Sequence, residues 1–358
     1  MTTAPPTPDW DEFRGLLPAE RAPLLLDEHG RLQMLIDAGQ FTRPLLDELF
    51  RVAELIRRRW PEEGFARGVR RLLDTRSAAL YFTQPSTRTY VSFALAARSV
   101  GMMCDEIRSP EMSSLYKGES ELDTLLTLAA LADSIIMRQK DHELMIRLAW
   151  EIRRRGLSTR VINGGSGPHE HPTQALLELY TLVSHFDLAT GDEPFTLGIV
   201  GDLRRSRTAR SLASVLGLYP QVRQVFIAPD ELQMASDVTD ALDAVGVAWD
   251  RADGLDAVLP DLDAVYMMRM QDEYGETSET LRQEYNRFRL TPDRAARMKP
   301  SACVLHPLPR RDELPLEIDL DPRARYWEAV ERGKWARVAL LLHMFGRADA
   351  DAIDAIGR

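Results

Sequence analysis

The chain has 358 residues, 44% hydrophobic and 28% charged, with a formal net charge of -10. A chain of this length and apolar content buries a large core and divides into two domains, while its acidic balance argues against nucleic acid or an anionic membrane surface as partner. Cys104 and Cys303 supply neither a disulfide framework nor a zinc site, no apolar run reaches membrane-spanning length, and the start T-T-A-P-P-T-P-D-W lacks signal-peptide regions, so the expectation is a protein of the reducing cytoplasm.

Residues 1–30, rich in proline and charge, read as a loosely attached N-terminal extension without chemistry of its own. From Arg43 to Trp60 the apolar positions Leu45, Leu46, Leu49, Phe50, Val52, Ala53, Leu55 and Ile56 recur at helical spacing, and Ala78–Phe82 then reads as a buried strand. Helices are expected at Val91–Val100, Ser120–Ala132 and Glu143–Arg154, with strands at Ser134–Met137 and Arg160–Asn163 between and after them. A long helix opens near His171. Past the turn A-T-G-D-E-P a second series begins with a strand at Phe195–Val200. It continues with strands at Val225–Ala228, Ala264–Met268 and Ala302–Leu305, alternating with helical segments, and a last apolar helix at Trp335–Phe345.

This alternation predicts an α/β fold of two doubly wound parallel-sheet domains, with the active site in the cleft between them at strand carboxyl ends. The first domain is assigned to 31–186, completed by a C-terminal helix within 333–358, and the second to 187–332. Nearly every candidate polar residue falls just after a strand. Arg88 follows Phe82, Arg138 ends S-I-I-M-R, His171 follows V-I-N, Arg207 follows G-I-V-G-D, Arg269 ends V-Y-M-M-R, and H-P-L-P follows A-C-V-L.

The segment F-T-Q-P-S-T-R-T-Y-V-S-F at Phe82–Phe93 reads as an anion cradle. The first amides of a helix have no partners within it, and the helix dipole there favours negative charge. Ser86, Thr87 and Thr89 add hydroxyl donors, and Arg88 adds a planar fork able to hold two phosphate oxygens. Taken alone, the same residues also fit an ordinary capping sequence with an exposed arginine.

Seven motifs in order resemble the aspartate and ornithine carbamoyltransferases, the aspartate branch more closely. They are S-T-R-T (86–89), S-S-L-Y-K-G-E (113–119), M-R (137–138), H-P-T-Q (171–174), G-D-L-x-x-x-R-T (201–208), R-M-Q (269–271) and H-P-L-P-R-x-D-E (306–313). The resemblance implies that Ser86, Thr87, Arg88 and Thr89 hold the phosphate of carbamoyl phosphate. Arg138 then touches phosphate and carbamoyl oxygen, and His171 polarises that oxygen. Gln174 and the backbone carbonyls of Pro307 and Leu308 bind the carbamoyl amino group. Ser113 and Lys117 enter the site from a neighbouring subunit, which implies a closed homotrimer with shared sites. Arg88, Thr89, Arg138, His171 and Lys117 are the catalytic set.

On the acceptor side, Arg207 and Arg269 with Gln271 offer two guanidinium groups, which suits a dicarboxylic amino acid. In the family the first takes the α-carboxylate, and the second, with the glutamine, the side-chain carboxylate of aspartate. Lys117 completes that set. Ornithine enzymes show H-C-L-P where this chain has His306–Pro309. The implied reaction is carbamoyl transfer to aspartate, as in pyrimidine synthesis, with no metal or cofactor required and catalysis by positioning and electrostatics.

Four positions depart from the family pattern. Gln84 and Tyr274 stand where family members have an acidic residue and an arginine that bridge the domains. Tyr90 stands where a second arginine is usual, and Ser166 replaces the aspartate of N-A-G-D-G. They keep two alternatives open: a carbamoyltransferase for a different amino acid or amine, and a catalytically weak homologue serving as a binding or structural subunit. A nucleotide-dependent dehydrogenase is set aside, since G-I-V-G-D-L lacks the G-x-G-x-x-G spacing. Regulatory or pathway-enzyme partners leave no mark in the sequence.

Overall fold

The computed structural model describes residues 6–107, 118–188, 193–271 and 278–357. In chain order the first elements are α1 (Trp10–Gly15), α2 (Pro18–Arg21), β1 (Met34–Leu35), α3 (Arg43–Arg59), α4 (Glu63–Val69), β2 (Ser77–Phe82) and α5 (Thr87–Ser99). There follow β3 (Met103–Ile107), α6 (Glu121–Leu131), β4 (Ser134–Gln139), α7 (His142–Arg154), β5 (Arg160–Ser166) and α8 (Pro172–His185). The second series is β6 (Phe195–Val200), α9 (Arg207–Leu216), β7 (Val222–Ile227), α10 (Ser236–Ala244), β8 (Trp249–Ala252), β9 (Ala264–Met267), α11 (Glu279–Tyr285) and α12 (Pro292–Ala295). The chain then forms β10 (Cys303–Leu305), α13 (Tyr326–Met344) and α14 (Ala350–Asp354).

Two compact units result, residues 1–173 with 332–358, and residues 174–331. The first sheet has the order β1-β5-β4-β2-β3 and the second β10-β9-β6-β7-β8, every pairing parallel. These are the two parallel α/β sheets that the alternation predicts. In the first sheet the chain builds outward in one direction from β2 to β3 and in the other from β4 to β5. The order therefore reverses between β2 and β4. In the second it reverses between β6 and β9. Crevices outside strand carboxyl ends at such reversals are where open α/β sheets bind ligands.

The strands read as apolar runs because parallel sheets are covered on both faces. In β2, Ala78 to Phe82 are all buried, as are Ile135, Ile136 and Met137 in β4. The first unit's core joins Tyr81, Ile135, Met137 and Val161 of the sheet to Leu125 of α6 and to Met145, Leu148 and Ile152 of α7. The second unit's core joins Val200, Ile227, Val265, Met267 and Val304 to Phe288, Ile318 and Tyr326.

The loosely attached N-terminal extension is corrected by this core. Phe13 and Leu25 are fully buried members of it, each contributing about 1.5–3 kcal/mol of apolar transfer. Trp10 packs edge-on against Trp150 of α7, and the indole N–H of Trp150 donates to the carbonyl of Pro8. Arg21 is buried in an ion pair with Asp37 at 3.1 Å. Composition concealed this because the burying residues are few and widely spaced among proline and charge.

Candidate active site

In the first unit, β2 delivers the chain to Ser86, which is the N-cap of α5, so that Thr87, Arg88 and Thr89 occupy its first turn. The helix thus starts four residues earlier than apolar spacing indicates, and the whole S-T-R-T segment lies where unpartnered amides and the dipole act on an anion. Ser86 makes no side-chain capping bond to its own helix. Thr87 and Arg88 are exposed, while Thr89 turns inward and is 6% exposed.

Register brings β4 alongside. Phe82 pairs with Arg138, and the amides of Thr83 and Gln84 both donate to the Arg138 carbonyl, at 3.0 and 3.4 Å. The Arg138 guanidinium donates to the carbonyl of Gly164, just past the middle of β5, at 3.2 Å. A methyl group on Gly164 would stand 3.2 Å from the Met137 carbonyl, 3.4 Å from the Phe82 ring and 3.6 Å from the Thr89 methyl. Glycine therefore lets three strand ends close around one point.

His171 arrives from the turn after β5, 3% exposed, with its Nε2 3.2 Å from Thr89 Oγ1. The structure thus gathers Thr89, Arg138 and His171 at the reversal between β2 and β4, beside the cradle that carries Arg88. A cavity of about 320 Å³ borders the cradle, lined by Phe82, Gln84, Ser86, Thr87, Tyr90 and Val91 among others. Gln84 Oε1 is buried there with no hydrogen-bond partner among the described residues. The Tyr90 ring packs edge-on against Phe82, so this position fills space where a second arginine would add charge.

In the second unit, the equivalent reversal holds the other two arginines. Val200 pairs with Met267, so the loops after β6 and β9 leave the sheet side by side. Ser206 caps α9 through its hydroxyl, and Arg207 is the first residue of that helix. Asp202 is fully buried and ties the two loops together. It pairs with Arg205 at 2.7 Å and accepts the Gln271 amide at 2.9 Å. Tyr285 adds a second tie, its hydroxyl accepting from the Asp202 amide at 3.1 Å and donating to the Met268 carbonyl at 2.5 Å.

Burial, reinforced by the carboxylates of Asp202 and Glu313, pushes the Tyr285 phenol well above its usual range, so it remains a neutral donor. Gly201 has φ of 117°, and a methyl group there would lie 2.4 Å from both the Met268 carbonyl and the Tyr285 hydroxyl. This position needs glycine for both reasons. The Arg269 guanidinium donates to the Met270 carbonyl at 2.8 Å, and the Gln271 side chain to the Arg269 carbonyl at 3.4 Å.

β10 lies next to β9 and ends in the H-P-L-P turn. His306 Nδ1 accepts the Leu308 amide at 2.7 Å, which places the ring proton on Nε2, where it donates to buried Glu313 at 3.0 Å. Leu308 has φ of 54° and precedes a cis proline, and the carbonyls of Pro307 and Leu308 belong to this turn. Burial pushes the Glu313 carboxyl up, but the bonds from His306 and from the Arg311 amide outweigh it and hold it below the usual range.

Gln174 donates to Glu178 one helical turn away, at 2.7 Å, and Glu178 is fully buried. Ser113, Lys117 and Tyr274 lie outside the described residues.

Sequence reasoning missed Tyr285 and Glu178. Glu178 has a signal, since a buried acid four residues after Gln174 on one helix can hold its amide. Tyr285 sits in E-Y-N-R-F, a stretch without pattern. No cluster of three or more His, Cys, Asp or Glu side chains suited to a metal occurs among the described residues.

Comparison with known proteins extends over the same ground. The model of the aspartate/ornithine carbamoyltransferase carbamoyl-P binding domain matches residues 33–184, and that of the Asp/Orn binding domain matches 193–344. A chloroplastic aspartate carbamoyltransferase of Oryza sativa subsp. japonica is 35% identical over 324 residues, covering 88% of this chain and 86% of that one. The aspartate carbamoyltransferase catalytic subunit of Methanosarcina acetivorans is 35% identical over 316 residues, covering 87% and 97%. The crystal structure of Trypanosoma cruzi aspartate transcarbamoylase in complex with N-(phosphonacetyl)-L-aspartic acid superposes with a TM-score of 0.77 at 31% identity, covering 86% of this chain and 94% of that one. With both domain models matched in order across two parallel-sheet units, the chain belongs to the aspartate/ornithine carbamoyltransferase family.

Proposed function

We propose that this chain transfers the carbamoyl group of carbamoyl phosphate to the α-amino group of L-aspartate, giving N-carbamoyl-L-aspartate and phosphate, the carbamoylation step of pyrimidine synthesis. The observation that carries the reading is the placement of Arg88 and Arg138 at one sheet reversal and Arg207 and Arg269 at the other. One set suits a phosphorylated carbamate and the other a diacid.

In this reading Arg88 and the first amides of α5, with Ser86 and Thr87, hold the phosphate. Arg138, His171 and Thr89 surround the carbamoyl oxygen. As the amine attacks, a C–N bond forms and negative charge gathers on that oxygen. Fixed donors lower the barrier because they need no reorganisation at that moment. The C–O bond to phosphate then breaks, and the departing phosphate takes the amine proton. Gln174, held by Glu178, and the carbonyls of Pro307 and Leu308 orient the carbamoyl amino group. Arg207 takes the α-carboxylate, and Arg269 with Gln271 the side-chain carboxylate. Ser113 and Lys117 act from a neighbouring copy in a homotrimer, a part of the proposal that rests on resemblance.

The relatives in plants are chloroplastic by name, and cytoplasmic residence is proposed here from composition alone. No helix among the described residues is long and apolar enough to cross a membrane.

The test is purified protein with carbamoyl phosphate and a panel of amines, scored for phosphate and ureido product. Turnover with aspartate alone supports the proposal. Turnover with another acceptor supports the second reading, which the Gln84 and Tyr90 cavity motivates. Binding without turnover leaves only a non-catalytic subunit.

A further inference from the structure

A buried polar chain runs from the N-terminal helices to the turn that carries His171. Arg21, the last residue of α2, pairs with Oδ2 of Asp37 at 3.1 Å, and both side chains are almost fully buried. The other carboxylate oxygen of Asp37 faces Nε2 of His142 at 3.2 Å, and Nδ1 of His142 meets Ser166 Oγ at 2.9 Å. Ser166 Oγ also accepts from Asn163 Nδ2 at 3.1 Å. The same Asn163 side chain donates to the Ile36 carbonyl at 2.7 Å and accepts the Gly165 amide at 2.7 Å.

With a neutral imidazole, the carboxylate beside Nε2 holds the ring proton there, which leaves Nδ1, at 2.9 Å, as acceptor of the Ser166 hydroxyl proton in preference to the Glu170 carbonyl at 3.4 Å, and Ser166 oxygen as acceptor of the Asn163 amide. The order acid, imidazole, hydroxyl is that of a serine nucleophile. Ser166 has no exposure at all, so no substrate reaches it, and the chain must act on the backbone that holds it.

That backbone is part of the proposed site. Gly164, two residues before Ser166, receives the Arg138 guanidinium. Ser166 and Glu170 bridge through the Ser166 amide at 3.0 Å, and His169 donates its amide to the Ser166 carbonyl at 2.9 Å, so the turn closes on the residue before His171. The His169 ring stacks on His142 at 5.3 Å with an interplanar angle of 17°. Fixing Ser166 thus fixes both the carbonyl under Arg138 and the entry to His171.

We propose that His142 is a positioning residue for carbamoyl transfer, relaying the Arg21–Asp37 pair through Ser166 to the 163–171 turn that sets Arg138 and His171. The proposal rests on the functional reading above for what those two residues do. It also gives the N-terminal segment a function, since Arg21 terminates the relay.

The test compares full-length wild type with His142→Ala, His142→Asn and Ser166→Ala, by steady-state carbamoyl transfer and by calorimetric titration with carbamoyl phosphate. The expected result for His142→Ala and Ser166→Ala is a kcat loss of about ten-fold with a raised KM for carbamoyl phosphate and an unchanged KM for aspartate. In His142→Asn the amide oxygen takes the place of Nδ1, and most of the loss is recovered. Unchanged constants, a smaller active fraction with both KM values intact, or an Asn variant no better than Ala would each overturn the relay. Should His142→Ala not fold, Ser166→Ala, which removes one oxygen, carries the same comparison. If the wild type binds carbamoyl phosphate but does not turn over, the functional reading fails while the relay is still scored by affinity. Weakening in Ala and recovery in Asn then support it, and equal affinities or no binding by wild type overturn it.

Discussion

Removing one oxygen atom from Tyr285 isolates the architecture of the acceptor half-site. In Tyr285→Phe the ring stays, but the Asp202 amide loses its acceptor and the Met268 carbonyl loses its donor, both on fully buried residues. Stranding a buried donor and a buried acceptor costs about 1–3 kcal/mol each, and because one atom served both, we expect a total of about 2–4 kcal/mol. The functional effect is narrower. The loops after β6 and β9 lose one of their ties, with Asp202 to Gln271 and the Ser206 hydroxyl to the Met268 sulfur remaining, so Arg207 and Arg269 hold a diacid less well. Urea denaturation reads the stability loss, and kinetics read an aspartate KM raised on the order of ten-fold, with carbamoyl phosphate affinity unchanged. A loss under about 1 kcal/mol with an unaltered aspartate KM would mean that the Tyr285 hydroxyl does not hold these loops. An equal fall in affinity for both substrates would contradict an effect confined to the acceptor half-site.

Arg269→Ala should weaken aspartate use while leaving carbamoyl phosphate binding intact, read by calorimetry with each ligand. Gly164→Ala adds a methyl group 3.2 Å from the Met137 carbonyl and 3.6 Å from Thr89; a shift of a few tenths of an ångström should lower kcat with little change in melting temperature. Arg21→Ala leaves Asp37 buried without its cation and should destabilise the protein by about 3–5 kcal/mol, a loss visible in chemical denaturation. Glu313 has a depressed carboxyl pKa in the folded state, so its contribution is fully present above the unfolded value of about 4.3 and is lost as pH falls through the lower folded value. The stability gap between wild type and Glu313→Gln should therefore narrow as pH drops below about 4.

The central strands were legible because a parallel sheet needs apolar residues on both faces, and the sequences of β2, β4, β6 and β9 are mostly apolar and buried. Three of the edge strands were not, although β10, at the edge of the second sheet, was read from A-C-V-L. β3 reads M-C-D-E-I and is mostly exposed, β8 reads W-D-R-A, and β1 has two residues, so none carries a pattern distinct from a loop. The start of α5 was misplaced by four residues because serine and threonine are poor helix-interior residues and good first-turn ones. α13 begins at Tyr326, nine residues before the apolar segment that marks it, since Y-W-E-A-V-E-R-G-K mixes both kinds of residue. The residues that the resemblance assigns to ligands carry motifs, whereas Tyr285, Glu178 and His142 contact backbone or other side chains. Their partners are distant in sequence or fixed only by the fold.

The bisubstrate compound N-(phosphonacetyl)-L-aspartate carries a phosphonate and a diacid on one skeleton, so its binding reports whether the two arginine sets serve one reaction. Titrated into wild type, Arg88→Ala and Arg269→Ala, it should bind the wild type tightly and lose affinity on the order of a hundred-fold in each variant, since each deletes a charge-assisted bidentate contact. Affinity untouched by either substitution would contradict the account.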